Sequence, residues 1–149
     1  LYDALEELVA RMEHSNLSIE LEQTGHETGY SYLVLMTLYR VAQEGLTNVH
    51  KYADANEVRI GVNLGAKTAT LWVTDTGQGF DVSAWETRFE QEGKTFGLQG
   101  LKERLNLVGG ELCIHSEQGQ GTTLTATVPK QGFQTSVLET ASLQLKPHA

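Results

Sequence analysis

Glu44, Asn48 and Lys51 stand at i, i+4 and i+7 of one helical stretch, LYRVAQEGLTNVHKYADA (38–55). Leu35, Leu38, Ala42, Gly45, Leu46 and Val49 form an apolar arc on nearly the opposite side. An acid, an amide oxygen and a cation in one column could hold a metal, its water and a phosphate. Oxygen donors this few in number suit Mg²⁺, which keeps several of its waters. The plainer reading of the three residues is a solvated helix face carrying a Glu–Lys column.

A second acid raises a sharper question. In DTGQGF (75–80) Asp75 closes an alternating run, and strand parity points it the same way as Leu71 and Val73, toward the core. A carboxylate there needs hydrogen-bond donors, or it costs several kcal/mol or neutralises. On the last alternating run, Thr122 shares its face with Leu124, Ala126 and Val128, while Thr123, Thr125 and Thr127 point outward. An inward acid and an inward hydroxyl at strand ends could hold the exocyclic amine of a purine. Asp and Gly also simply favour turns, so an edge aspartate opening a hairpin is the competing reading.

Two glycine pairs complete the set. GLQG (97–100) precedes a helical pattern, where bare backbone and free N–H groups attract anions. GQGT (119–122) lies between two strand patterns and by itself is a hairpin turn. Each signal alone is weak.

The elements that must carry these residues are legible from periodicity. Leu1, Leu5, Leu8, Val9 and Met12 predict a first helix, and SIELEQTG (18–25) a short strand. A long helix is expected from about Tyr30 to Tyr52. EVRIGVNLG (57–65) and TATLWVTDTG (68–77) alternate as two strands joined by a tight GAK link. Residues 81–96 have no clean period and are long for a loop, which suggests function. GLQGLKERLNLVGG (97–110) is a helix with a Gly-Gly stop, and ELCIHSE and TTLTATVP are two further strands. The predicted fold is α+β, a two-layer sandwich of a mixed, mostly antiparallel sheet with helices on one face.

Composition bounds the function. A chain of 149 residues suits one domain, and its net charge of -8 argues against a non-specific nucleic-acid binder. No apolar run is long enough to cross a bilayer. The lone Cys113 allows no internal disulfide and no cysteine-based metal cluster. Without a signal peptide or lipidation motif, a cytoplasmic location is expected, with any membrane attachment supplied by parts outside this chain. The opening helix without a methionine reads as a piece of something longer.

Together, these motifs resemble the ATP-binding domain shared by gyrase-type topoisomerases, heat-shock chaperones, mismatch-repair ATPases and sensor histidine kinases. The likeness is strongest to two-component histidine kinases, in the subgroup whose response regulators usually carry a helix-turn-helix DNA-binding domain. LYRVAQEGLTNVHKYADA is similar to that subgroup's N box, DTGQGF to its first glycine box, FGLQGLKERLNLVGGEL (96–112) to its second, and GQGTTL (119–124) to its third. The resemblance covers about residues 35–129 and implies the Bergerat-type ATP-binding fold.

It also implies roles. Asn48 would bind Mg²⁺, Lys51 would contact phosphate, and Glu44 stands at the N-box acid, a general base where water attacks. Tyr52 would lie along the adenine, whose amine Asp75 would accept, with Gly77 and Gly79 shaping that wall. Gly97, Leu98 and Gly100 would bring backbone to the phosphates, and Thr122 would complete the adenine contact. Residues 81–96 become an ATP lid. The organisation implied is a helix at 1–14 left from a dimerisation segment, an ATP-binding domain at 15–130 and a flexible tail at 131–149.

One departure stands out. A histidine kinase needs a phosphoacceptor histidine on a dimerisation helix. His26 precedes Glu27 but is flanked by Gly25 and Gly29, which break a helix, and His14, His50, His115 and His148 have no fitting context. The chain therefore reads as a catalytic domain that passes the γ-phosphoryl of Mg-ATP to a histidine elsewhere, for onward transfer to a response regulator. Alternatives are a stand-alone serine kinase of the anti-sigma-factor type and a non-enzymatic, ATP-gated binding module.

Overall fold

The computed structural model describes residues 1–14, 16–82 and 97–131. Five strands form one mixed sheet in the order β1-β2-β3-β5-β4: β1 Ser18–Gly25, β2 Glu57–Leu64, β3 Thr68–Asp75, β4 Glu111–Glu117 and β5 Gly121–Pro129. Only the β1–β2 pair is parallel. A parallel neighbour needs a long crossover, and the second helix supplies it. The expected α+β sandwich is the fold observed.

Alternation sets the buried face. Val58, Ile60, Val62 and Leu64 of β2, Ala69, Leu71 and Val73 of β3, and Leu124, Ala126 and Val128 of β5 are all buried. The opposite face is mostly polar but carries Trp72, whose ring lies over Gly61 so closely that a Cβ on Gly61 would enter it.

Three helices, α1 Tyr2–Met12, α2 Tyr32–Asn48 and α3 Gly97–Leu107, lie side by side on the inner face. Ser31 caps α2, its hydroxyl accepting from the Val34 N–H at 3.2 Å. That satisfies one of the donors a helix start leaves open. Val34, Leu38, Val41, Ala42 and Leu46 then fill the core. α1 joins the same core through Leu5 and Leu8. α3 stops at the expected Gly-Gly: Gly109 has φ 70° and the Gly110 N–H donates to the Leu105 carbonyl at 2.8 Å.

The long helix departs from expectation at its end. After Asn48 the α-helix gives way to a π-helical turn, Val49–Ala53, which Asp54 closes in the left-handed conformation at φ 49°. The wider turn takes Lys51 out of the α register that set it on the Glu44–Asn48 column. Lys51 is exposed, and the side chain of Tyr52 lies outside what the structure describes. The expected lid from residue 83 onward, and the tail from residue 132, also lie outside the described residues.

Candidate functional site

Asp75 ends β3 on the core face and is only 7% exposed. Its register partner across the ladder is Thr122. Burial pushes the Asp75 carboxyl above the usual carboxylate range, opposed by backbone N–H donors from Gly77 and Thr122. The Gly77 bond is 2.8 Å to Oδ1. A carboxylate offers about four acceptor directions, so capacity remains for an incoming donor.

The loop after Asp75 is seated on the β4–β5 turn. The Gly119 N–H donates to the Gln78 carbonyl at 2.5 Å. Gly79, at φ 66°, lies so close that a Cβ would collide with the Glu117 carbonyl. Only glycine takes that conformation at that approach without strain. The first glycine box is thus a turn packed against the third, which fixes the wall beside Asp75.

Ser116 is a residue the sequence reading missed. It is 9% exposed. Its Oγ accepts from the Phe80 N–H at 2.8 Å and meets the Thr122 hydroxyl at 2.7 Å and the Gly121 carbonyl at 3.2 Å. All three contacts are satisfied when Ser116 donates to Gly121 and Thr122 donates to Ser116. Thr122 then presents acceptor lone pairs only. The signal was available, since parity in β4 places Ser116 with Leu112 and Ile114 on the inner face. Ser116→Ala removes the anchor for both Phe80 and Thr122, at an expected cost of about 1–2 kcal/mol. Urea unfolding with an unchanged midpoint would show that Ser116 holds nothing in place.

α2 is brought down onto β3 by Gly45, where a Cβ would stand 3.1 Å from Val73 Cγ2. Glu44 and Asn48, both half-buried, flank this contact on the helix. Glu44 reaches the start of α3: a Cβ on Gly97 would strike its carboxylate. A pocket of about 270 Å³ opens there between α2 and α3, lined among others by Glu44, Gly97 and Gly100. Leu98 puts its side chain in the core, so only its backbone is available to a ligand.

The predicted residues therefore fall into two groups. Asp75, Gly77, Gly79 and Thr122 meet at the ends of β3 and β5, and Glu44, Gly97 and Gly100 meet between α2 and α3. Asn48 stands one helical turn beyond Glu44, toward the Asp75 end. The donor set fits an adenine nucleotide with a hard cation, because a buried acceptor at Asp75 and an amide oxygen at Asn48 follow one another toward the glycines of α3. No group of three or more His, Cys, Asp or Glu side chains able to hold a metal unaided exists among the described residues.

None of the four described histidines belongs to either group, although His14 and His50 line a groove with Val49 and Thr76. His14 bridges to Leu17, His26 follows β1 with its N–H on the Leu64 carbonyl at 3.2 Å, His50 is in the π turn and His115 is exposed on β4. His148 lies outside the described residues.

A mixed sheet covered on one face by helices, with a buried acid at a central strand end, is the architecture of an ATP-binding module. The chain belongs to the family of histidine kinase-, DNA gyrase B-, and HSP90-like ATPases, whose model matches residues 34–132. It is 31% identical over 117 residues to the signal transduction histidine-protein kinase/phosphatase DegS of Brevibacillus brevis. The match covers 78% of this chain and 29% of that protein. To DegS of Bacillus subtilis (strain 168) it is 35% identical over 94 residues, 63% of this chain and 24% of that one. The chain thus spans less than a third of these curated relatives. Among solved structures, the histidine kinase domain of the blue-light activated histidine kinase of Erythrobacter litoralis EL346 superposes with a TM-score of 0.61. Identity is 14%, covering 85% of this chain and 58% of that one, so the likeness is one of fold. No helix among the described residues is long and apolar enough to cross a membrane.

Proposed function

We propose that this chain is the catalytic and ATP-binding part of a sensor histidine kinase. It would bind Mg-ATP and pass the γ-phosphoryl to a histidine on a dimerisation segment, for onward transfer to a response regulator of the helix-turn-helix class. The observation that carries the reading is Asp75, a buried acid with acceptor capacity to spare, opposite Thr122 at the end of β3. In this reading Asp75 and Thr122 hold the adenine, Gly77 and Gly79 shape its wall, and Tyr52 lies along it. Asn48 supplies an oxygen to Mg²⁺, Lys51 a charge to phosphate, and Gly97, Leu98 and Gly100 their backbone. Glu44 takes the place of the family's N-box acid. The bound Mg²⁺ would neutralise phosphate charge; the chain's part is positioning.

α1 is assigned to the end of the dimerisation segment, docked on the nucleotide-binding unit at residues 15–130. The domain is assigned to the cytoplasm. Two tests separate the readings. A titration of the chain with ATP and GTP should favour ATP strongly, and equal curves would remove the adenine assignment. Labelled ATP should then phosphorylate, in trans, a histidine on the dimerisation segment of the full-length protein. Phosphoserine on a protein partner would instead favour the anti-sigma-factor type, and tight binding without transfer a nucleotide-gated module.

Gly100 offers a cleaner check on the phosphate side. A Cβ there meets nothing within 4 Å, so Gly100→Ala adds no clash. Alanine in a helix is favoured over glycine by roughly 0.5–1 kcal/mol. The variant is expected to melt no lower than the parent while binding ATP more weakly, because the methyl intrudes where phosphate approaches backbone. Unchanged ATP affinity would place the phosphates away from Gly100.

A further inference from the structure

The pocket between α2 and α3 is lined by two arginines, Arg40 and Arg104, that the nucleotide reading leaves without a task. Arg40 stands one turn before Glu44, as Glu44 stands one turn before Asn48, so the three form a line with about 6 Å per step. Its Nη1 donates to Gln43 Oε1 at 2.9 Å, which steers the guanidinium along the pocket rim. Arg104 enters from α3, on the face that also carries Gly97 and Gly100. Two glycines followed by an arginine leave that face bare and then charged. Neither guanidinium lies within ion-pairing distance of an acid among the described residues.

Two unpaired arginines beside one carboxylate give this pocket a net positive charge in a chain of net charge -8. Guanidinium is the side chain suited to a planar or tetrahedral oxyanion, because its fork makes two parallel bonds. The order along α2 says which oxyanion. Val49 and Thr76 line one groove, so the C-terminal end of α2 lies toward the Asp75 end of β3. A nucleotide anchored at Asp75 would run back past Asn48 and Glu44, and its terminal phosphoryl would arrive at Arg40 and Arg104.

Resting on the nucleotide reading above, we propose that Arg40 and Arg104 clamp the γ-phosphoryl group of ATP and make the site distinguish ATP from ADP. The nucleotide's other phosphates stop short of the pocket, so ADP makes no contact with either guanidinium. The two arginines hold the terminal oxygens on the side away from Asn48 and leave Glu44 between them.

Titration calorimetry of ATP and of ADP against the chain and its Arg40→Gln and Arg104→Gln variants tests this. Each variant is expected to bind ATP about tenfold more weakly and ADP within twofold of the parent, so the ATP/ADP preference falls. Loss of both nucleotides alike, or of neither, would overturn the clamp while leaving nucleotide binding itself intact. A parent chain that binds neither nucleotide would end both proposals. Arg40→Lys and Arg104→Lys keep the charge without the fork and guard against a folding defect. They should retain ADP affinity and recover only part of the ATP preference; full recovery would replace the clamp with simple charge attraction and overturn it.

Discussion

Asp75→Asn is expected to weaken ATP binding on the order of a hundredfold, about 2.7 kcal/mol. The carboxylate would accept the adenine amine's hydrogen bond in a place where water cannot substitute. An amide of the same shape keeps one acceptor oxygen for Gly77 and Thr122 but turns a donor toward the purine amine. Donor then faces donor. Sites built around one such bond reject partners that lack its complement strongly. GTP, which presents a carbonyl at that edge, should be excluded by the parent for the same reason. If the variant binds ATP as tightly as the parent, the adenine does not lie at Asp75.

The same substitution has a signature in stability that does not require nucleotide. Burial holds the Asp75 carboxyl above its ordinary range. The folded state therefore binds its proton more tightly than the unfolded chain does. Such a group contributes stability that is fully present below the unfolded pKa and is lost as pH rises through the folded one. In the parent, this contribution should fall across the window just above the usual carboxylate range. Asp75→Asn has no proton to lose, so its stability relative to the parent should rise with pH over that window. A parent–variant difference that is flat with pH would mean the carboxyl is not strained by burial.

Strand parity made much of this legible beforehand. Alternation in β3 and β5 turned Asp75 and Thr122 inward, and the register pairs them directly. The helical arc likewise put α2 on the sheet by the right face. What escaped the sequence has physical reasons. The π turn at Val49–Ala53 lies in VHKYA, a stretch without glycine or proline to mark a change of winding. A wheel drawn with 3.6 residues per turn runs straight through it and misplaces Lys51. Ser116 was readable by the parity that found Thr122, but a serine carries no chemical flag until its hydroxyl is seen between Phe80 and Thr122. Nothing along the chain singles out Arg40 and Arg104, because the pocket joining them exists only once α2 and α3 pack.

Asn48→Ala is expected to weaken Mg-ATP binding about tenfold or more while leaving metal-free ATP almost unchanged. The asymmetry follows from where Asn48 sits. It is half-buried on α2 between the Asp75 end of the sheet and Glu44. Its amide oxygen is the protein contact to Mg²⁺ that the proposed reading assigns. Mg²⁺ demands near-octahedral oxygen geometry but keeps several waters, and the loss of one fixed protein oxygen removes much of what localises it. An adenine contact would behave differently, since its loss would weaken nucleotide with and without metal to the same extent. Helix propensity works in the variant's favour, because alanine is the better helix former at this last α-helical position. A thermal melt of the variant should therefore match or exceed the parent's, which separates a lost ligand from a damaged fold. Calorimetry of ATP with Mg²⁺ and with a chelator decides the matter. Equal losses in both conditions would make Asn48 a structural residue and move the metal contact elsewhere.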